Sequence, residues 1–432
     1  MVALCWVDNA GITRVKTIPL GQLERAAGWG IGMSPVFDVF LVNDDATTSE
    51  HIGGPGGDLR LIPDLDRLTV LAGQPGWAWA PVDRYTQDGQ VYAACQRSFA
   101  RRMAAEAAGR GLALRMSFEV EWAVGSDDGG RFRPACRGPA YGMTRVIELS
   151  DYGREVVGAL ERQGVVVEQF HPEYAEGQLE VSVAPADPVA AADDSVLVRQ
   201  TIRAVSAAFG FQASFAPSVI AGAVGNGGHV HLSVWRDGQN LLAGGPGRYG
   251  LSGEGEAFAA GILAGLPALA GVGSPSVASY LRLVPSHWAG VFQCWGRENR
   301  EAALRLVTGS AGEHDIRANF EVKCFDLAAN PYLVTGSLIA AGLAGVDSGA
   351  GLPEEITGDP AALPGAELDR RDIRRLPRSL AEATGCLEDS PVLRQAMGEP
   401  LFAAFVAVRR AESELFAGVS PDDVAAQTRW RW

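Results

Sequence analysis

Five glutamates recur in one local grammar. In the run Leu114–Trp122, Glu119 and Glu121 alternate with Phe118, Val120 and Trp122, and a period of two places both carboxylates on one face of a strand. Glu180 alternates with Leu179 and Val181 just after Glu173, and Glu321 sits between Phe320 and Val322. His229, His231 and Ser233 alternate in the same way with Val230, Leu232 and Val234. Taken singly, each pattern also fits a solvated strand face. Together they predict a sheet lined with carboxylates and imidazoles, which is electrostatically costly unless divalent cations sit among them. A carboxylate-rich set without cysteine points to Mg²⁺ or Mn²⁺ rather than Zn²⁺. A basic element follows, with Arg282, then Arg297, Arg300 and Arg305. Guanidinium forks match carboxylate and phosphoryl oxygens, and cations facing arginines are the apparatus for stabilising a transferred phosphoryl group.

The elements that must hold these residues interleave helix and strand. Residues 1 to about 94 carry short strand-like runs (Val2–Val7, Leu68–Leu71) and a Gly-Gly-Pro-Gly-Gly stretch at 53–57, which predicts a small β-rich domain. From Cys95 the texture changes. Helical spacing covers Ser98–Gly109, Asp151–Gln163, Pro188–Phe209, Glu254–Gly271, Pro331–Val346 and Pro400–Phe416. Between them Leu112–Val124 reads as one strand, followed by further alternating runs. The absence of a strict βαβ rhythm predicts an α+β fold of two domains, 1–94 and 95–432.

Length and composition agree. At 432 residues the chain exceeds the size at which one core usually stops growing. With 51 acidic against 37 basic residues the net charge is −14, which argues against a nucleic-acid partner. The six cysteines are scattered without a CxxC pair and the N-terminus has no export pattern, so the expectation is a reduced, cytoplasmic protein. The apolar stretches at Ala257–Val272, interrupted by Pro267, and Leu333–Val346 fall short of a membrane span and read as buried helices.

The motifs FEVEW (118–122), HPEYAEGQLEVSVAP (171–185), GNGGHVHLSV (225–234), ENREAALRL (298–306) and FEVKCFDLAANPYL (320–333) occur in that order. As an ordered set they resemble the glutamine synthetase family of the bacterial dodecameric type, over nearly the whole chain. The resemblance implies an N-terminal β-grasp domain, then a catalytic domain whose curved antiparallel sheet is lined by metal-binding carboxylates, with active sites formed between subunits of a dodecamer. It implies two or more Mg²⁺ or Mn²⁺ ions per site, one held by Glu121, Glu173 and Glu180 and another by Glu119, His229 and Glu321. Glu168, His231, Ser233 and Asn319 fall at the ATP positions, and Gly225 in the glutamate-binding loop. Arg282 and Arg300 fall where substrate carboxylates bind, and Arg300, Arg305 and Lys323 where the transferring phosphoryl group is contacted. The implied reaction is attack of the glutamate γ-carboxylate on the γ-phosphate of ATP, followed by displacement of phosphate by an amine.

The departures from the family pattern shape the substrate expectation. Where the family's ammonia-using members read Pro-Gly-Tyr-Glu-Ala-Pro, this chain reads Pro285-Ser-His-Trp-Ala-Gly290, so Trp288 replaces a proton-accepting glutamate with an apolar indole. Trp288 therefore resembles the γ-glutamyl-amine ligases that use organic amines, such as polyamines, ethanolamine or alkylamines, with His287 as a candidate base. The alternatives are a glutamine synthetase using ammonia, and a divergent paralogue with another acyl substrate or a regulatory role. Asn319 and Lys323 stand where the family usually has arginine, and Val224 where it often has a polar glutamate contact; Lys keeps the charge but loses the planar fork. Regulation by adenylylation is not expected, because no Asn-Leu-Tyr segment occurs between Arg370 and Leu387.

Overall fold

The computed structural model describes residues 1–432. Near the N-terminus, β1 (Val2–Val7), β2 (Thr13–Ile18), β3 (Ile31–Met33), β4 (Leu59–Pro63), β5 (Thr69–Val70) and β6 (Ala78–Tyr85) form one sheet in the order β2-β1-β6-β4-β3, with β5 beside β6. Strand β1 runs parallel to β6 while its hairpin partner β2 is antiparallel, the strand arrangement expected of a β-grasp unit. The helix Leu23–Trp29, which the spacing did not reveal, packs Leu23 and Ala26 onto Val2, Leu4, Trp6 and Leu61. The strand expected at Leu68–Leu71 shrinks to two residues.

Eleven further strands follow: β7 (Ala113–Phe118), β8 (Val120–Asp128), β9 (Arg131–Pro134), β10 (Val167–Pro172), β11 (Gln178–Val183), β12 (Gln212–Ser214), β13 (Val230–Arg236), β14 (Gln239–Asn240), β15 (Phe292–Arg297), β16 (Ala302–Val307) and β17 (Asn319–Val322). They build two sheets, β10-β11-β8-β12 and β14-β13-β17-β16-β15. The single strand expected over 112–124 is two strands: β7 pairs with β13 in one sheet and β8 with β11 in the other. The break falls at Glu119, whose backbone N–H donates to His229 O at 3.0 Å. The chain thus steps between sheets at a metal-ligand candidate, and the two sheets curl into one concave wall. The wall is antiparallel as expected, except at its edge, where β15 and β16 are parallel.

Apolar alternation explains which face turns inward. Phe118, Val120, Trp122, Phe320 and Val322 are all buried, and Trp122 Nε1 donates to Tyr152 OH at 3.0 Å, which meets Ser206 Oγ at 2.8 Å. The back of the wall therefore rests on the helices Ser150–Arg162 and Pro188–Ala208. The second of these starts at Asp187, whose carboxylate accepts from the N–H groups of Val189 and Ala190, with Pro188 at the first helical position.

The helix Gly253–Gly273 runs through Pro267 without ending, matching the helix expected over Glu254–Gly271. It is long and apolar enough to cross a membrane, yet most of it is buried. A Cβ on Gly261 would lie 2.3 Å from Ala341 O and 2.7 Å from Gly345 Cα, so bare glycines let it lie against the helix Pro331–Ser348.

Buried polar groups brace the N-terminal strands and tie them to the rest. Arg84 donates twice to Asp38, at 2.7 and 2.8 Å, with both side chains almost fully buried. Arg97, on the helix Gln96–Gly109, pairs with Asp193 at 2.8 Å, Asp64 at 2.7 Å and Asp83 at 3.0 Å. Asn330 caps the helix Pro331–Ser348 with its oxygen, while its amide nitrogen donates to the carbonyls of Val7 and Asp8. All six cysteines are free thiols.

Candidate active site

Strand register assembles the site. Across β10, β11 and β8, His171 lies opposite Glu180, and Glu180 opposite Glu121. Across β16, β17 and β13, Arg305 lies opposite Glu321, and Glu321 opposite His231. Facing residues on paired strands bring their Cβ atoms to about 5 Å, so each rung gathers three ionisable groups. Glu119, at the step between sheets, joins the rungs.

On one side, Glu119, His231 and Glu321 gather their donor atoms within 4.8 Å. His229 joins them, with Nδ1 at 2.8 Å from Glu119 Oε2 and 3.3 Å from Glu321 Oε1. Glu321 is closed off by two cations, Lys323 Nζ at 2.9 Å and Arg305 Nη1 at 3.0 Å. Burial opposes its charge, but Lys323 foremost holds the carboxyl at about 2. His231 Nε2 meets Glu119 at 3.0 Å and its Nδ1 meets Asn319 Oδ1 at 2.8 Å. Burial alone would lower this imidazole, and Glu119 outweighs it to lift it to about 9.

On the other side, His171, Glu173 and Glu180 form the second group. This differs from the expected set of Glu121, Glu173 and Glu180: His171 stands between the latter two, with Nε2 at 3.3 Å from Glu180 and Nδ1 at 3.5 Å from Glu173. Its contact with Glu180 lifts it to about 9. Glu121 instead accepts from Gln178 Nε2 and Gly227 N, both at 2.9 Å. Burial, then the charges of Glu180 and Glu173, push its carboxyl up to about 7. Such a carboxylate is short of positive charge. The backbone leaves room beside it: a Cβ on Gly227 would fall 2.6 Å from His229 Nε2 and 2.7 Å from Glu121 Oε1. Oxygen and imidazole donors around a space only glycine leaves open fit divalent cations.

The other predicted residues surround this centre. Ser233 accepts from Trp235 Nε1, and Glu168, at the exposed edge of β10, pairs with Arg317 at 2.8 Å. Gly225 packs against Arg282, since a Cβ there would lie 2.9 Å from Arg282 Cγ. Arg282 donates one nitrogen to the carbonyls of Cys324 and Phe325, and its buried Nε has no partner. Arg305 bridges Glu321 and Glu298, whereas Arg300 is exposed and makes no ion pair. Trp288 is half exposed, and its backbone N–H donates to Glu301.

Two residues escaped the sequence reading. His171 stands within a quoted motif, two residues before Glu173 across Pro172, a spacing that was a usable signal. Tyr141, whose hydroxyl donates to Glu173 Oε2 at 2.8 Å, lies in a loop and had none.

A sheet wall carrying two facing carboxylate–imidazole groups beside arginines defines a class, metal-dependent group-transfer enzymes. Within that class, a family model described as "Glutamine synthetase, catalytic domain" matches residues 93–426, and the chain belongs to the glutamine synthetase family. It is 58% identical over its whole length, and 93% of the relative's, to the gamma-glutamylpolyamine synthetase of Streptomyces coelicolor. It is 32% identical to the glutamine synthetase of Halobacterium salinarum, over 96% of this chain and 91% of that one. Among solved structures, one titled as a novel glutamine synthase homolog superposes with a TM-score of 0.89 at 33% identity, over 100% of this chain and 98% of that chain. A GmaS/ADP complex superposes at 0.84 and 26% identity, over 97% and 94%.

Proposed function

We propose that this protein is an ATP-dependent ligase that joins the γ-carboxylate of glutamate to an organic amine, with polyamines as the first choice. The 58% identity across the full chain to a gamma-glutamylpolyamine synthetase carries this reading. The γ-carboxylate attacks the γ-phosphate of ATP and ADP leaves; the amine nitrogen then attacks the acyl carbon and phosphate leaves. Glu119, His229 and Glu321 would hold one Mg²⁺ or Mn²⁺, and Glu121, Glu173 and Glu180, with His171, another; when bound, such ions offset phosphoryl charge.

The chain's own groups do the positioning. Lys323 and Arg305 fix the Glu321 carboxylate from two sides. Asn319 orients the His231 imidazole toward Glu119. Ser233, His231, Asn319 and Glu168 border the nucleotide. Gly225 and Arg282 receive glutamate, Arg300 reaches substrate anions from the exposed rim, and Arg305 and Lys323 supply positive charge next to the transferring group. The Trp288 indole gives a carbon-bearing amine an apolar surface that ammonia cannot use. We assign residues 1–94 to an N-terminal domain and 95–432 to the catalytic domain of a cytoplasmic dodecamer.

The test is ADP formation with Mg²⁺ and glutamate across ammonium, ethanolamine, putrescine, spermine and butylamine. Turnover is expected to be strongest with a polyamine and lost in Glu321→Ala, whose folding is checked by circular dichroism. Strongest turnover with ammonium overturns the reading.

A further inference from the structure

The segment Pro285–Gly290 takes an uncommon backbone conformation. Ser286 and Trp288 have φ of 59° and 56°, a region that costs a non-glycine residue roughly 1–3 kcal/mol and persists only where surroundings enforce it. Both anchors are carboxylates. Trp288 N donates to Glu301 Oε1 at 2.8 Å, and Ser286 Oγ donates to Asp359 Oδ2 at 2.7 Å. Asn299 Nδ2 ties the two anchors together by donating to the carbonyls of Ile356 and Gly358 at 2.7 and 3.0 Å.

Glu301 is the anomaly. Only 9% of the residue is exposed, it forms no ion pair, and its second carboxylate oxygen accepts no hydrogen bond within the chain and is open to solvent. The charges acting on it are Asp359, Lys323 and His287, and the Lys323 ammonium is already engaged by Glu321 at 2.9 Å. Burial and the like charge of Asp359 both act against its ionised form. A carboxylate so little exposed and without an ion pair is costly, and this one accepts from the backbone N–H of Trp288, a residue that is 52% exposed. Lys323 links it to the metal-ligand candidates, so the place is next to the transferring group but distinct from the two rungs.

We propose that Glu301, supported by Asp359 and the face of Trp288, receives a protonated nitrogen of the amine substrate, so that the pocket selects aliphatic di- and polyamines over monoamines of equal length. This rests on the ligase reading above. An ammonium supplies three donors to a carboxylate that lacks them and is attracted to an indole face. The distal nitrogen stays protonated and paired while the other nitrogen, uncharged, attacks the acyl carbon.

The test compares kcat/KM for putrescine and butylamine, which share a four-carbon chain, in the wild type, Glu301→Gln and Asp359→Asn. Glutamine keeps an acceptor for Trp288 N and removes the charge. The putrescine-to-butylamine ratio is expected to exceed ten in the wild type, to fall at least tenfold in Glu301→Gln and to fall less in Asp359→Asn. A ratio unchanged within twofold in both variants overturns the proposal, as does an equal loss on both amines. A wild type that turns over no amine removes the ligase reading itself, which separates the two failures.

Discussion

Replacing Gly227 by alanine perturbs the proposed metal centre with one methyl group. The added Cβ would lie 2.6 Å from His229 Nε2, 2.7 Å from Glu121 Oε1 and 3.1 Å from His229 Cδ2. Gly227 does not occupy the left-handed region, so the backbone tolerates alanine and the clash alone is tested. Ordinary van der Waals contact begins at 3.4 Å, so a ligand must retreat by roughly 0.8 Å, and misplacements of about 1 Å are the scale on which site geometry fails. The expected result is a ~10–100-fold loss of Mn²⁺ affinity, the range seen when groups that orient metal ligands are disturbed, or about 1.4–2.8 kcal/mol. Isothermal titration with Mn²⁺ in the absence of nucleotide reads this directly. Melting with and without Mn²⁺ checks that the variant folds and that its metal-induced gain in Tm shrinks. A Gly227→Ala protein that binds Mn²⁺ with the wild-type Kd would refute the assignment of Glu121 and His229 as metal ligands.

Two further predictions concern stability. Asp38→Ala leaves the buried Arg84 guanidinium without its carboxylate and should cost about 3–5 kcal/mol in urea unfolding; a loss below about 1 kcal/mol would mean that the pair does not hold the N-terminal strands in place. Glu412 is buried, accepts from Val42 N at 2.8 Å and faces Arg409 at 3.1 Å. Burial, against the opposing charge of Arg409, pushes it from 4.5 up to about 7. A raised folded-state value means that its stabilisation is complete below pH 4.5 and is lost as pH rises to 7, on the order of 3 kcal/mol. Glu412→Gln should therefore gain in Tm relative to wild type between pH 5 and pH 8; parallel Tm curves would count against it.

Much of the site was legible because alternation is a local property. Carboxylates at 119, 121, 180 and 321 each sit between apolar neighbours, and burial of Phe118, Val120, Trp122, Phe320 and Val322 turns the polar face the same way throughout. The long helices were equally visible, and their caps, Asp187 before Pro188 and Asn330 before Pro331, are written in adjacent residues. The step at Glu119 was not legible, because residues before and after it alternate identically and only the change of pairing partner from β13 to β11 marks it. His171 carried a local signal in its spacing to Glu173, but its place opposite Glu180 comes only from the pairing of β10 with β11.

By itself the sequence determined the chemistry on offer: which side chains are carboxylate, imidazole or guanidinium, which strand face carries them, and, through the ordered motifs, the family. The tertiary structure decided the grouping. It set His171 rather than Glu121 between Glu173 and Glu180, closed Glu321 between Lys323 and Arg305, and left Glu301 accepting from the Trp288 backbone with no ion pair. The physical reason is range. Side-chain direction follows from the next residue along the chain, whereas charge compensation depends on which strands lie about 5 Å apart, and that is fixed only when the whole wall is assembled.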